Sequence, residues 1–256
     1  MKIGIIGEGA IARYVCTSLN ATHAVLVRSE PPVGKDNDGL LRVLHVNELP
    51  GDVDVMIDCA GHAALAEHGP AILERGIDLV TVSLGALADT DLYSRLNSAA
   101  ERGGARLRLA SGSIGALDCL RAAQVGGLSE VTYTGRKPPQ SWKGSPAEDR
   151  LDLDTLDQAA THFEGSARQA ATLYPKNANV AAAVALAGAG FEATKVRLIA
   201  DPGVAANIHE VKASGAFGSF TFHIEGRALP DNPRSSALAA MSVVAAIERQ
   251  QSAIVI

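Results

Sequence analysis

Near the start of the chain, Gly7-x-Gly9-x-x-Ala12 has the spacing of a turn that cradles phosphates. An apolar run, Ile3 to Ile6, enters this turn, and a helix-compatible segment, Ile11 to Leu19, leaves it. That order suits the pyrophosphate of a dinucleotide. Gly7 makes the tight turn, Gly9 lets the backbone approach the phosphates, and Ala12 lets the helix pack closely on the strand. The N–H groups opening the helix, at Ala10 and Ile11, then face the anion. A plain strand-turn-helix is the bland alternative; the correct elements on both sides favour a nicotinamide dinucleotide. Further on, Val27-Arg28-Ser29-Glu30 offers both an acid for the ribose hydroxyl of NAD and a cation for the extra phosphate of NADP. Arg28 stands first, so NADP is expected to be accepted alongside NAD.

Redox chemistry with a nicotinamide also needs a group that manages protons, and cations or amides that hold the substrate. Asp201-Pro202-Gly203-Val204-Ala205-Ala206-Asn207-Ile208-His209-Glu210 places a histidine on a strand just after a turn. Imidazole titrates near neutral pH, which suits His209 to general acid or base work. Spacing alone fits a histidine on the wet face of an antiparallel sheet slightly better. His23, His45, His62, His68, His162 and His223 compete for the role with nothing distinctive about them. His62 and His68 lack the i, i+4 spacing of helical zinc ligands, and no cysteine pair lies near them, so no metal site is expected. In Tyr174-Pro175-Lys176-Asn177-Ala178-Asn179-Val180, one asparagine reads as the cap of the next helix. The other is then left to touch cofactor or substrate, and Lys176 can attract a carboxylate. Arg136, Lys137, Lys143, Arg227 and Arg234 read mostly as solvated loop cations. The acids Glu148, Asp149, Asp152, Asp154 and Asp157 read as an exposed face leading into a helix.

The elements that must position these groups alternate over the first hundred or so residues. Strands are expected at Ala24 to Val27, Val53 to Ala60, Asp78 to Ser83 and Arg106 to Ala110, with helices over His62 to Arg75 and Asp91 to Arg102. This is the pattern of an α/β, Rossmann-type doubly wound parallel sheet, in which ligands lie beyond the carboxyl ends of the strands. Small residues stand at three such ends: Ala60-Gly61, Ser83-Leu84-Gly85 and Ser111-Gly112-Ser113. They are read as facing the nicotinamide. A second, α+β domain follows, with helices near Leu156 to Thr172 and Val180 to Ala187. Its strands are expected at Val131 to Thr134, Lys195 to Ile199, Ala205 to Ala213 and Ser219 to Glu225. The last two read as a hairpin with a five-residue connection, Ser214 to Gly218. The expected division is 1–110 for the dinucleotide, 111–232 for the substrate, and a terminal helix in 233–256 packing back on the first domain.

With 256 residues, 47% of them hydrophobic, and a formal net charge of -5, the chain can bury a sizeable core. The mild acidity argues against a nucleic-acid partner. No apolar stretch is long enough to span a membrane, and Lys2 is followed by a short strand rather than a secretory apolar run. Cys16, Cys59 and Cys119 read as buried thiols of a cytoplasmic protein.

The chain resembles the L-aspartate dehydrogenases over nearly its whole length. The marks are Gly7-Glu8-Gly9-Ala10-Ile11, Val82-Ser83-Leu84-Gly85-Ala86-Leu87-Ala88-Asp89 and Ala110-Ser111-Gly112-Ser113-Ile114-Gly115-Ala116-Leu117-Asp118. Lys137-Pro138-Pro139, Trp142-Lys143-Gly144, the Tyr174 to Ala182 stretch, Asp201-Pro202 with Asn207-Ile208-His209, and Leu229 to Ser236 continue it. The resemblance implies oxidation of L-aspartate to iminoaspartate with NAD or NADP, reversible through oxaloacetate and ammonia and feeding NAD synthesis. It implies His209 as the catalytic residue, NAD contacts at Ser113 and Asn179, and a homodimer; Lys176 and Asn177 stay the candidates that the residues themselves offer for holding the substrate. Relatives usually carry alanine where this chain has Ser113, and proline-lysine-threonine-serine where it has Pro233-Arg234-Ser235-Ser236. The alternatives are a related two-domain reductase of another small dicarboxylate or semialdehyde, and a non-catalytic dinucleotide sensor.

Overall fold

The computed structural model describes residues 1–20, 22–29, 40–230 and 232–254, with Pro233 and Arg234 described through their backbone alone. The chain divides into two compact units, Met1–Gly112 with Ala239–Ile256, and Ser113–Leu238.

In the first unit, short strands rich in Ile, Val and Leu alternate with helices. They are β1 (Ile3–Ile6), α1 (Ala10–Leu19), β2 (Thr22–Leu26), β3 (Leu41–Val43), β4 (Val55–Asp58), α2 (His62–Glu74), β5 (Asp78–Thr81), α3 (Thr90–Gly103) and β6 (Leu107–Leu109). Every strand pair is parallel, in the order β3-β2-β1-β4-β5-β6. This is a Rossmann-type doubly wound sheet whose order reverses between β1 and β4. Both faces are covered, so β1 and β4 are buried along their whole length instead of alternating. Local chemistry sets the helix ends. Asp89 caps α3 by accepting from the N–H groups of Asp91 and Leu92 at 2.9 and 3.2 Å. Asn20 closes α1 in the left-handed region. Ile3, Ile5, Ile57 and Val80 of the sheet share one core with Val15 of α1 and with Val243 and Ile247 near the chain end. Each such side chain removed from water contributes about 1.5–3 kcal/mol.

The second unit contains α4 (Leu117–Gly126), β7 (Leu128–Lys137), β8 (Ala160–Ser166), α5 (Ala167–Leu173), α6 (Asn179–Ala187), α7 (Gly190–Ala193), β9 (Lys195–Ala200), β10 (Asn207–Gly215) and β11 (Gly218–Gly226). A small hairpin, β12 (Ala228–Leu229) with β13 (Asn232–Ser236), then leads into α8 (Ala237–Gln251). The main sheet runs β11-β10-β7-β9-β8, with only β7 and β9 parallel. One of its faces is buried, and the two-residue period of a strand turns Val131, Tyr133, Gly135 and Lys137 of β7 to that face. His209, Val211 and Ala213 of the adjacent β10 are buried as well.

Several expectations need correction. The helix expected over Leu156 to Thr172 is strand β8 followed by the short α5. β8 is an edge strand with an irregular register between Thr161 and Phe163, so its apolar residues do not alternate cleanly. Its junction with α5 is a capping box between Ser166 and Gln169. The five-residue hairpin connection is shorter, because Ser214 pairs with Ser219 and Gly215 with Gly218, leaving Ala216 and Phe217 as the turn. Arg136 and Lys137 belong to β7 and not to a loop. Helix α4 had no counterpart in the sequence reading; it buries only Leu120 and Ala123. Among the thiols, Cys16 and Cys59 are half-buried, but Cys119 is exposed on the outer side of α4. No helix among the described residues is long and apolar enough to cross a membrane.

Candidate active site

The glycine turn joins β1 to α1. Gly7 has φ +90°, and a Cβ there would lie 2.9 Å from that of Ala60, so this position takes only glycine without strain. Its N–H donates to the carbonyl of Leu26 at 2.9 Å, tying the turn to β2. Gly9 precedes α1, and no side chain caps that helix end. The N–H groups of Ala10 and Ile11 therefore have no helical acceptor, and no acid occupies the first turn. A Cβ on Gly9 would meet no atom within 4 Å, so this glycine is not demanded by the packing of the chain itself. An open backbone beside unsatisfied donors at a helix N-terminus fits a diphosphate. Arg28 is exposed just past β2. Glu30, its rival for the ribose, lies outside the described residues. Glu8, inside the turn, accepts from Arg42 at 2.8 Å.

The ends of β4 and β5 are organised by a residue the sequence reading passed over. Asp58 is fully buried at the end of β4. Its Oδ1 accepts from the N–H groups of Ala60 and Gly61 at 3.0 and 3.2 Å, and its Oδ2 from the hydroxyls of Thr81 and Ser83 at 2.7 and 2.6 Å. Burial pushes its pKa up, while the bonds from Ser83, Thr81, Ala60 and Gly61 oppose that rise. The available signal was a carboxylate inside an otherwise apolar strand. The Ser83 hydroxyl donates to Asp58 and keeps acceptor capacity, and Ser83 and Leu84 are both buried at the end of β5. Ala60 is exposed and Gly61 half-exposed with φ +94°. Ser113 is half-buried at the start of the second unit.

In the second unit, His209 is 4% exposed, which overturns the wet-face reading. Its Nδ1 lies 2.8 Å from the hydroxyl of Tyr133, and the two rings stack at 6.0 Å. Directly across from His209 on β7 is Gly135, where a Cβ would come within 2.8 Å of that same hydroxyl. The missing side chain of Gly135 is thus the space through which Tyr133 reaches the imidazole. Burial, reinforced by the nearby Lys137 charge, lowers the His209 pKa to about 3, so the ring is neutral at physiological pH.

Lys137 is not a solvated cation: it is 9% exposed, and burial lowers its pKa to about 8. Its Nζ donates to Oδ1 of Asn177 at 2.8 Å and lies 4.9 Å from the ring centre of Trp142. Trp142 is itself buried against His162 and Tyr174, with its indole N–H donating to the Ile199 carbonyl at 3.0 Å. A cavity of about 630 Å³ has Lys137, Lys143, Tyr174, Lys176, Asn177 and Asn207 in its wall. Neither asparagine caps α6. Ala178 occupies that position without a side-chain bond, Asn177 serves Lys137, and Asn179 opens the helix half-buried. Arg136 is also not simply solvated, since it pairs with Asp201 at 2.5 Å and holds that carboxyl below its usual range. The N–H of Asp201 donates to the Lys137 carbonyl at 2.9 Å, which anchors the turn entering β10. The five acids from Glu148 to Asp157 are exposed, but they lead through turns to β8 and not into a helix.

A neutral imidazole with one nitrogen fixed by a phenol can pass a proton through the other. A cavity walled by ammonium and amide groups suits a small carboxylate. Comparison with known proteins agrees. The family model described as "Aspartate dehydrogenase, C-terminal" matches residues 118–250, and "Homoserine dehydrogenase, NAD binding domain" matches residues 7–110. L-aspartate dehydrogenase from Ruegeria pomeroyi is 52% identical over 99% of this chain and 94% of its own. That from Cupriavidus necator is 53% identical over 99% of each chain. The crystal structure of aspartate dehydrogenase from Thermotoga maritima superposes with a TM-score of 0.81 at 30% identity, covering 100% of this chain and 99% of the other.

Proposed function

The chain belongs to the L-aspartate dehydrogenase family of NAD(P)-dependent oxidoreductases, and from that membership we propose that it oxidises L-aspartate to iminoaspartate. The observation that carries this reading to residues is the buried, neutral His209 on the same sheet face as Lys137, whose charge it feels and which lines the lysine-walled cavity. A bound nicotinamide would supply the hydride acceptor for the substrate Cα, the amine giving up one proton as the C=N bond forms. Gly7, Gly9, Ala10 and Ile11 would hold the pyrophosphate, and Arg28 the extra phosphate of NADP. Ala60, Gly61, Ser83 and Leu84 would be further cofactor contacts of the first unit, and Ser113 and Asn179 are carried over from the family resemblance as NAD contacts of the second. Lys176 and Asn177 would steer and orient the carboxylates. His209 would accept or return the proton through Nε2 in the tautomer whose Nδ1–H donates to the Tyr133 oxygen. Water then cleaves the imine to oxaloacetate and ammonia, and the sequence of steps runs in reverse when ammonia is abundant.

Supply of iminoaspartate to NAD synthesis, a cytoplasmic location and a homodimeric state belong to the same reading. The three free thiols support a reducing compartment.

The test is a product balance. Purified protein given L-aspartate with NAD or NADP should form oxaloacetate, ammonia and reduced cofactor in equal amounts, and L-glutamate or L-alanine should give none. Reduced cofactor formed only with another dicarboxylate or a semialdehyde would move the substrate assignment. Cofactor binding without turnover on any of them would favour a sensor.

A further inference from the structure

Lys137 is buried, yet among the described residues no charge neutralises it. Its contacts are a neutral amide oxygen, Oδ1 of Asn177 at 2.8 Å, and the face of Trp142 at 4.9 Å. Both favour a cation without cancelling its charge. Among the described residues no carboxylate pairs with it, although a buried ammonium is costly unless it meets an opposite charge. The contrast with Lys143 in the same cavity wall is direct, since Lys143 already pairs with Asp154 at 2.5 Å. Lys176, the third lysine of the wall, is exposed and less able to discriminate. A desolvated, pre-positioned ammonium on the wall of an open cavity lacks only its anion.

We propose that Lys137 is the residue that pairs with a carboxylate of a small dicarboxylate substrate, with Asn177 fixing the ammonium and Trp142 backing it. The substrate class rests on the reading of L-aspartate given above; the anion site rests on Lys137 itself. Gly135, opposite His209, is two residues before Lys137 on β7, and the Lys137 charge opposes protonation of both His209 and His162. Lys137 therefore ties substrate charge to the proton-handling ring. Arrival of a carboxylate would relieve that opposition and make the imidazole a better base.

The experiment is calorimetric titration of the intact protein, loaded with cofactor, with succinate, a dicarboxylate with no amine to oxidise. The wild type should bind succinate. Lys137→Gln, which keeps a donor for Asn177 but not the charge, should weaken binding by about tenfold or more and leave cofactor affinity unchanged. Lys176→Gln should weaken it less. If Lys137→Gln does not fold, Lys137→Met keeps the apolar stem, and the wild type offers a second measurement. The Lys137 charge acts on His209 of β10 and His162 of β8, and Lys143, Tyr174 and Lys176 share the cavity wall with it; burial already lowers the pKa of both histidines. Succinate affinity should then fall as pH rises past about 8, the side on which Lys137 loses its proton. Succinate binding that Lys137→Gln leaves intact, or no succinate binding by the wild type, overturns the proposal. A wild type that binds succinate through Lys137 but does not oxidise L-aspartate overturns the proposed reaction and leaves the anion site standing.

Discussion

Tyr133 holds its phenolic oxygen 2.8 Å from Nδ1 of His209, bridging β7 and β10 on the buried face of their sheet. Burial raises the Tyr133 pKa, so the phenol keeps its proton throughout the physiological range. The pair fixes the ring's orientation and reserves Nε2 for chemistry. Tyr133→Phe should lower kcat by about tenfold to a hundredfold while the KM for cofactor stays constant. It should also cost about 1–3 kcal/mol of stability by leaving Nδ1 unsatisfied. A change in the imidazole nitrogen shifts of His209 by NMR would separate this positioning role from a merely structural one. Gly135→Ala should act through the same bond, since its Cβ collides with the Tyr133 hydroxyl. Unchanged kcat in both variants would remove Tyr133 from the account.

Acid should weaken the protein before its carboxylates titrate. Burial holds His209 at about 3 and His162 at about 4, whereas an unfolded histidine titrates near 6.5. Between those values the unfolded chain binds more protons than the folded one, so stability rises with pH across that window and falls as pH drops below about 6.5. At about pH 5 each histidine costs roughly 2 kcal/mol. Denaturant midpoints measured from about pH 7.5 to 4.5 should show this decline, and His162→Gln should flatten part of it. A flat profile in the wild type would contradict the burial of both rings.

Asp58 should matter for the cofactor without touching the substrate. Asp58→Asn keeps an acceptor for Ala60 and Gly61 but turns a second donor toward the hydroxyls of Thr81 and Ser83. The expected result is a loss of about 1–3 kcal/mol in stability and a higher Kd for the dinucleotide, with little change in succinate affinity. Fluorescence titration of reduced cofactor checks it.

Much of the first unit is legible in the sequence because continuous apolar runs and turn glycines carry it. The buried parallel strands at Ile3–Ile6 and Val55–Asp58 read as apolar runs, and the turn glycines punctuate them. Lys137 was not legible, although it stands in phase with Val131 and Tyr133, because a lysine beside Pro138-Pro139 looks like the start of a solvated loop. Its burial depends on Asn177 and Trp142, which only the tertiary fold brings to it. β8 was missed because an irregular edge strand with few apolar residues runs directly into the alanine-rich α5 and shares its helix-like composition. The linkage of His209 to Tyr133 has a sequence separation of 76, beyond the reach of any local pattern.

Arg28 sets the expectation for cofactor choice. It is exposed at the end of β2, where an extra ribose phosphate would be met. Arg28→Ala should raise the Kd for NADP about tenfold and change that for NAD by less than about threefold. Equal losses for both cofactors would assign Arg28 to general charge rather than to the phosphate.

The most direct measurement supplies L-aspartate deuterated at Cα, together with oxidised cofactor, and weighs the reduced nicotinamide by mass spectrometry. A cofactor heavier by one deuterium, formed by the wild type and strongly depleted in His209→Asn, is the predicted result. Reduced cofactor without the label, or none formed while dinucleotide and succinate both bind, would contradict hydride transfer from L-aspartate at this site.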